Sequence, residues 1–281
     1  DAGIEAPDVW TFENIYEIGK QITDPDKGVY GFALRGGTRG FNCYDRTLFS
    51  YLSDDVWVEN ESYRAFTKDG GCVYRLPEAK EALEFYKRVY EDISPKDSVS
   101  WGFTEMVQGF MSGTCAILIQ DNDVIATIED GLDPELWGVG NIPIGTSGFG
   151  TQTAGYGGWA MTAKTQYPEE TAKFIKFLSN AENNGYFCRQ NGLIPIHTTS
   201  IEQDEYFSSG AYTIFNKMND LGCYRIFNNL GIGYDITATF NNDRDEYLQK
   251  YLLGEVDADT LLDYWASQWE KAVADQGKLW E

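Results

Sequence analysis

The stretch Thr153–Lys164, TAGYGGWAMTAK, decides how the sequence is interpreted, because three glycines surround one tyrosine and the last of them precedes Trp159. The apolar run GWAMTA at its end predicts a buried strand. Glycine is the residue that best tolerates a sharp turn or a close backbone approach to a ligand. The stretch therefore predicts a tight turn that delivers an aromatic ring.

A helix follows this turn, and three other segments show the same periodicity. Pro168 and two glutamates favour a first helical turn there, and the apolar residues share one face: Phe174, Phe177, Leu178 and Ala181. Thr11 can cap a helix with the face Phe12, Ile15, Tyr16 and Gly19. The segment EAKEALEFYKRVYEDI has the face Ala79, Ala82, Leu83 and Tyr86, and a last helix has Leu261, Tyr264, Trp265, Trp269 and Val273. Each apolar face is predicted to lie in the core.

Short apolar runs between the helices predict buried strands. They are VYGFAL, CAILI, WGVGNIPI and GWAMTA, each bounded by Gly, Asp or Pro. Strands that alternate with helices indicate an α/β layer structure. No internal repeat or low-complexity linker is present, so composition alone marks no domain boundary.

The composition indicates a globular protein with one large or two medium domains. The chain has 281 residues, of which 42% are hydrophobic and 15% aromatic. It carries 22 basic and 44 acidic residues, a net charge of −22, which would repel nucleic acid and anionic lipid. We therefore expect a neutral or cationic ligand and no nucleic-acid partner.

Most of the common catalytic and cofactor motifs are missing from the sequence. Five scattered cysteines and the single histidine, His197, argue against a zinc site and against a serine or cysteine triad. The glycines of GTSGFG lead into a strand, which does not suit a phosphate loop, and DNDVIA has Ile125 and Ala126 where a calcium loop needs an oxygen ligand and a glycine. No cofactor, metal or catalytic residue is predicted, although a pair of carboxylates in a glycosidase would leave no sequence signal.

The aromatic ring after the glycines suits a carbohydrate ligand. A sugar or polyol has C–H faces and O–H edges, so a protein holds it with an aromatic ring under the face and with polar groups around the edge. We interpret Trp159 as such a ring. The alternative is that Trp159 is ordinary strand core after a flexible loop.

Several motifs, taken in order, resemble the solute-binding proteins of carbohydrate ABC importers. AGIEAPDVWTFENIYEIGKQITD is similar to the helix start of that family, and FMSGTCAILIQDND to its strand entry and ligand loop. WGVGNIPIG, the glycine-rich stretch with its helices, NGLIPIHTT and LLGEVDADTLLDYWASQW follow in the family's order. Phe12, Asn14 and the pair Thr114-Cys115 depart from the usual residues, at helix-start or strand-packing positions.

The resemblance implies a type II periplasmic-binding-protein-like α/β fold of the maltose-binding-protein-like group. It implies mostly the C-terminal lobe with hinge crossovers: residues 1–156 and 198–281 in that lobe and 157–197 in the N-terminal lobe. The chain begins without methionine and has only a few residues before its first helix. The first part of the N-terminal lobe is therefore expected to be missing.

The resemblance also implies the function. The expected protein is the substrate-binding component of an ABC importer, a monomer without catalysis that captures a sugar, oligosaccharide or polyol in an interlobe cleft. Its partners would be the importer's permease subunits. Its location would be extracellular, lipid-anchored at the cell surface or periplasmic. A glycoside hydrolase and a cell-surface carbohydrate-adhesion module are the alternatives.

Four segments supply the predicted ligand-binding residues. ALRGGTRGFNCYDRTLF corresponds to an Arg-Gly loop that faces the cleft in sugar-binding members, and QDND follows the CAILI strand where open α/β sheets present their crevice. Two solvated arginines and a solvated acidic turn are the alternatives for these segments. The hinge and the later LGIGYDI provide further contacts. The predicted residues are Arg35, Arg39 and Tyr44; Asp121, Asn122 and Asp123; Tyr156, Gly158 and Trp159; and Tyr234.

Overall fold

A computed structural model of the chain describes residues 3–60, 63–155, 157–228 and 234–277. The described helices are α1 Phe12–Ile22, α2 Gly40–Tyr51, α3 Pro77–Ile93, α4 Phe103–Met111, α5 Ile125–Gly131, α6 Pro168–Leu178, α7 Ala181–Gln190, α8 Thr198–Gln203, α9 Thr213–Leu221, α10 Thr237–Leu252 and α11 Ala258–Gln276. The strands are β1 Tyr30–Phe32, β2 Cys115–Ile117, β3 Gly150–Gln152 and β4 Tyr224–Ile226. Short 3-10 turns connect several of these elements.

The chain forms two compact units. Unit 1 comprises Asp1–Ile119, Ile142–Thr153 and Cys223–Glu281, and unit 2 comprises Gln120–Asn141 and Ala154–Gly222. The predicted crossover segment, 157–197, lies within unit 2, which is larger than that segment because 120–141 and 198–222 pack with it. Ile125 shares a small core with Cys188 and Phe207. The assignment of the units to lobes stays a prediction.

The strands form two parallel pairs in unit 1. Tyr30 pairs with Cys115 between β1 and β2, and Thr151 pairs with Arg225 between β3 and β4. The predicted strands VYGFAL and CAILI are thus confirmed in position. WGVGNIPI forms only isolated bridges at Ile144, and GWAMTA, residues 158–163, contains no strand. These two predictions are wrong, because a strand requires a hydrogen-bonding neighbour, and an apolar run does not reveal whether one lies beside it.

The start of α1 forms as its sequence predicts. The Thr11 hydroxyl oxygen accepts from the Asn14 amide N–H at 3.1 Å, and the Asn14 side-chain oxygen accepts from the Thr11 N–H at 2.9 Å. This reciprocal capping box satisfies two N–H groups that a helix start otherwise leaves open. The face predicted to be apolar is buried: Phe12, Ile15, Tyr16 and Gly19.

The core of unit 1 lies among α1, α2, α3, α10 and α11, and it contains a buried ion pair. Trp265 and Trp269 of α11 are fully buried there. The Arg244 guanidinium donates to the Asp45 carboxylate at 2.5 Å and lies 4.2 Å from the centre of the Phe41 ring. Burial raises the pKa of Asp45, although Arg244 opposes that shift. The pair is therefore a polar contact enclosed by aromatic rings.

Unit 2 has a small core and exposed apolar helices. Helix α6 begins at Pro168 as predicted but ends at Leu178, so Ala181, predicted on the same face, belongs to α7 instead, and α6 has no buried residue. Phe174 and Phe177 are 59% and 58% exposed, so the prediction that this face is core is wrong within the described chain. No described helix combines the length and apolar character that a membrane crossing requires.

Candidate functional site

A loop of sequence RGGTRG, residues 35–40, leaves the carboxyl end of β1 and is held by backbone hydrogen bonds. The Gly36 N–H donates to the Ser98 carbonyl at 3.0 Å, and the Gly37 N–H donates to the Trp101 carbonyl at 2.9 Å. The Tyr86 hydroxyl donates to the Arg35 carbonyl at 2.7 Å. The loop backbone is therefore fixed against the segment 98–101.

Two glycines of this loop are required by close packing. A Cβ added to Gly36 would lie 2.5 Å from the Val99 Cα, and one added to Gly37 would overlap the Ser100 carbonyl oxygen. Both obstacles are backbone atoms, which cannot move aside as a flexible side chain can. The close approach that the sequence analysis assigned to glycines near Trp159 is thus found here instead.

The two arginines of the loop differ in their surroundings. Arg35 is half-buried, and its Nε donates to the Thr38 carbonyl at 2.7 Å. Arg39 is exposed and has a φ of 63°, the one positive value among described residues other than glycine. Its N–H donates to Asp245 at 2.7 Å, which holds it in this unfavourable conformation at the start of α2. Both side chains stay candidates for ligand contact.

A small pocket in unit 1 lies beyond the carboxyl ends of β1 and β2. Phe12, Phe85 and other apolar side chains form most of its wall, and Arg35, Arg46 and Thr47 add the charged and hydroxyl groups. This is the end of a parallel sheet at which open α/β folds bind their ligands. The lining is mainly apolar, which suits the apolar face of a small molecule.

The sequence analysis missed Arg46, although a signal for it was present. On α2, Cys43, Arg46 and Thr47 are three and four residues apart, so they share one face. All three line the pocket. The Arg46 Nη2 also donates to the Thr153 hydroxyl at 3.2 Å, which fixes the direction of its side chain. Interpreting FNCYDRTLF as a helix would have placed this arginine on the same face as the other two pocket residues.

Two predicted ligand residues belong to the core of unit 1, which corrects the sequence analysis. Tyr44 is 0% exposed, its hydroxyl donates to the Ala79 carbonyl at 3.0 Å, and its ring lies 5.4 Å from that of Trp265. Tyr234 is buried and packs edge-on against Trp269 at 6.0 Å. Both rings are covered by core side chains, so neither presents a surface to a ligand.

The predicted acidic turn lies in unit 2. Asp121 and Asp123 are exposed. Partial desolvation is the larger cause of the raised pKa of Asp123, and the nearby negative charge of Asp121 adds to it. The Asn122 side-chain amide donates to the Gly192 carbonyl at 2.5 Å. This bond ties two segments of unit 2 together, so Asn122 has a structural role that the sequence analysis did not assign.

Trp159 is half-exposed in unit 2. It is 49% exposed and meets the Phe187 ring edge-on at 5.6 Å. A Cβ on Gly157 or Gly158 would meet nothing within 4 Å, and neither has a positive φ. Gly158 and Trp159 stay predicted ligand contacts, and Tyr156 lies outside the described residues. The predicted set is thus divided between Arg35 and Arg39 in unit 1 and the acidic turn and Trp159 in unit 2.

The nucleophile and base candidates occupy structural positions. The His197 Nε2 lies 2.7 Å from the Ser179 carbonyl oxygen, within hydrogen-bond distance. Cys72 and Cys115 are buried, and burial raises the pKa of each thiol to about 12. These thiols are protonated at neutral pH, so they lack the thiolate that nucleophilic cysteine chemistry needs.

Comparison with known proteins agrees with this fold. The mannitol-binding protein of Pseudomonas aeruginosa is 31% identical over 121 residues, which cover 42% of this chain and 26% of that protein. A solute-binding protein of an ABC transporter from Agrobacterium vitis, solved with bound D-mannitol, has a TM-score of 0.71 at 20% identity. That likeness covers 98% of this chain and 68% of the other.

A second solved structure gives the same result. The ABC transporter solute-binding protein of Thermotoga lettingae, bound with α-D-tagatose, has a TM-score of 0.75 at 16% identity, over 97% of this chain and 67% of the other. The predicted type II periplasmic-binding-protein-like α/β fold is therefore confirmed. The model of the family described as bacterial extracellular solute-binding protein matches residues 2–213. Since that match covers more than half of the sequence, the chain belongs to the bacterial extracellular solute-binding proteins.

Proposed function

We propose that the chain is the substrate-binding component of an ABC importer and that it captures a sugar, oligosaccharide or polyol without catalysis. The observation that carries this proposal is the unit 1 pocket beyond β1 and β2. Its apolar wall suits the C–H face of a carbohydrate, and Arg35 and Arg46 suit the hydroxyl groups at its edge.

The relatives favour small carbohydrates and polyols as ligands. The Pseudomonas aeruginosa relative is a mannitol-binding protein, and solved structures of the same fold hold D-mannitol and α-D-tagatose. The alignment with the mannitol-binding protein spans about a quarter of that protein's length. We therefore assign the ligand to this class as part of the proposal and leave the individual sugar open.

The proposal includes both units. We assign residues 1–156 and 198–281 to the C-terminal lobe and residues 157–197 to the N-terminal lobe. As ligand contacts we propose Trp159 as a stacking surface and Asp121 and Asp123 as hydroxyl acceptors. The partners are the permease subunits of the importer, and the protein acts as a monomer. The location is extracellular, with lipid anchoring at the cell surface or a periplasmic setting as the finer alternatives.

Calorimetric titration of the protein with D-mannitol, ribitol, D-tagatose and maltose tests the proposal. We expect one of these or a related sugar to bind without chemical change. Arg46→Gln should weaken that binding by about tenfold, since a hydrogen bond to a charged group contributes roughly 1.5–3 kcal/mol. Arg88→Gln is the matched control, because Arg88 is an exposed unit 1 arginine that does not line the pocket.

Three results would contradict this function. The first is turnover of any bound oligosaccharide, detected by chromatography of the products, which would favour the glycoside hydrolase. The second is an absence of binding across a broad panel of sugars and polyols by the folded protein. The third is equal affinity of the Arg46 and Arg88 variants, which would place the ligand away from the pocket.

A further inference from the structure

Helix α10 carries a carboxylate that bonds the backbone at the start of helix α2. The Arg39 N–H donates to the Asp245 Oδ2 at 2.7 Å, and the Phe41 N–H donates to the Asp245 Oδ1 at 3.4 Å. The partners are 206 and 204 residues apart in the chain, so this contact joins two distant elements of unit 1. Asp245 does not line the pocket, whose arginines, Arg35 and Arg46, come from the loop and from α2.

Helix α2 begins without a cap of its own. A helix start leaves several N–H groups open, and the residue before the first turn usually accepts from one of them through a short polar side chain. Arg39 occupies that position here, its side chain makes no capping bond, and the first turn contains no acidic residue. Asp245 supplies both the acceptor and the negative charge that stabilise a helix N-terminus. The start of α2 therefore depends on α10.

The backbone conformation of Arg39 depends on the same carboxylate. Its φ is 63° and its ψ is 24°, in the left-handed region that glycine adopts at the least cost. A residue with a side chain stays in this region only where the surrounding structure holds it, and such residues are concentrated at functional sites. The bond from the Arg39 N–H to Asp245 is the contact that holds it here. Without that bond the residue can relax, which changes the direction in which the chain enters α2.

Two neighbours of Asp245 on α10 hold the same region. Gln249, about one turn further along the helix, donates from its side-chain amide to the Val99 carbonyl at 3.0 Å. Val99 belongs to the segment 98–101, on which the glycines of the loop pack. Arg244 donates to the Asp45 carboxylate of α2. One helix thus contacts the support of the loop, the end of the loop and the helix that follows it.

We propose that Asp245 is a positioning residue for ligand capture, an inference that rests on the function proposed above. Its carboxylate fixes the backbone of Arg39 and the first turn of α2. The loop and α2 carry Arg35 and Arg46 to the pocket, so both guanidinium groups keep their direction while Asp245 holds the junction between them. Groups that are already in place bind a ligand more tightly, because the binding step does not have to order them.

Calorimetric titration of Asp245→Ala tests the proposal, with the tightest-binding of D-mannitol, ribitol, D-tagatose and maltose as the probe. We expect the Kd of the folded variant to rise about tenfold, the scale of ordering two long side chains in the binding step. Asp243→Ala is the matched control, because it removes the same charge from an exposed position of the same helix. Asp245→Asn keeps an oxygen that can accept from the Arg39 N–H, so it should retain more affinity than the alanine variant.

A double-mutant cycle separates positioning from a general loss of stability. If Asp245 acts through the pocket arginines, its removal should weaken binding less in a protein that already carries Arg46→Gln, so the two effects on Kd should combine to less than their product. Hydrogen exchange at the Phe41 amide provides a readout without a ligand. It should be faster in Asp245→Ala than in Asp243→Ala, since the control leaves the acceptor of that amide in place.

Three results would overturn the positioning role while the protein still binds a sugar. They are equal Kd values for Asp245→Ala and Asp243→Ala, equal Kd values for the alanine and asparagine variants at position 245, and effects that multiply fully with Arg46→Gln. The second of these would assign the effect to charge alone. Failure of the unaltered protein to bind any of a broad panel of sugars and polyols would instead contradict the proposed function, so the two failures are distinguishable.

Discussion

Replacing Trp159 with alanine separates a ligand-stacking tryptophan from a core tryptophan. The side chain is 49% exposed, so about half of its surface is available to a ligand. At about 25 cal/mol per Å², covering on the order of 120 Å² contributes up to about 3 kcal/mol. A sugar covers only part of that area. We therefore expect Trp159→Ala to weaken carbohydrate binding by at least about tenfold, or roughly 1.4 kcal/mol.

The same substitution should have a limited effect on folding. Full truncation of a buried tryptophan costs about 3–5 kcal/mol, and half-exposed Trp159, which meets Phe187 at 5.6 Å, should cost about half of that. Trp265→Ala is the matched control. Trp265 is 0% exposed and lies 5.4 Å from the Tyr44 ring, so its loss should have the full cost. Trp159→Phe keeps a ring and should retain most of the affinity.

The assay pairs a carbohydrate titration with urea denaturation of each variant. We expect a large loss of affinity and a modest loss of stability for Trp159→Ala. For Trp265→Ala we expect a large loss of stability and, at urea concentrations where this variant is still folded, little loss of affinity. Unchanged affinity of a folded Trp159→Ala variant would refute a stacking role. Trp159 would then have no part in ligand capture.

Three further substitutions test the structure. Arg244→Met leaves the Asp45 carboxylate buried without its partner and should cost about 3–5 kcal/mol in urea denaturation, whereas the double variant with Asp45→Leu should recover most of that loss. Hydrogen bonds from Arg75 lower the pKa of Glu270, so this pair should stabilise the protein above pH 4.5 and lose its contribution as pH falls through the lowered pKa. Both side chains are well exposed, so Glu270→Gln should lower the free energy of unfolding by less than about 1 kcal/mol, and only at pH values above the lowered pKa. Gly37→Ala should cost about 1–3 kcal/mol because its Cβ meets the Ser100 carbonyl, while Gly157→Ala in open space should be neutral or stabilise by about 0.4–1 kcal/mol in the same assay.

The sequence predicted α1, α3, α6 and α11 because their signals are local. Thr11 and Asn14 are three residues apart, and the capping bonds that they form depend on nothing else in the fold. The strands were less predictable, since a strand exists only beside a partner that is distant in the chain. β3 and β4 were missed, and Gly150 and Tyr224, which pair across them, are separated by most of unit 2.

The candidate site was predicted in part for the same reason. Arg35 is identifiable because it follows a predicted strand and begins a glycine-rich loop, but nothing local shows that Gly36 and Gly37 pack on the backbone of residues 98–101. Tyr44 was misassigned because the segment was interpreted as a loop. On helix α2, Tyr44 and Leu48 are four residues apart and share the buried face, whereas Arg46 is directed to the pocket.

The apolar face of α6 connects these observations. Periodicity correctly predicts that Phe174 and Phe177 lie on one side of a helix, because three residues make nearly one turn. It does not say where the partner surface is, since an amphipathic helix requires only that its apolar side be covered by something. In α1 the partner is unit 1 itself, and the face is buried. In α6 the same pattern is exposed, so periodicity alone does not distinguish a helix that packs on a core from one whose apolar side is uncovered.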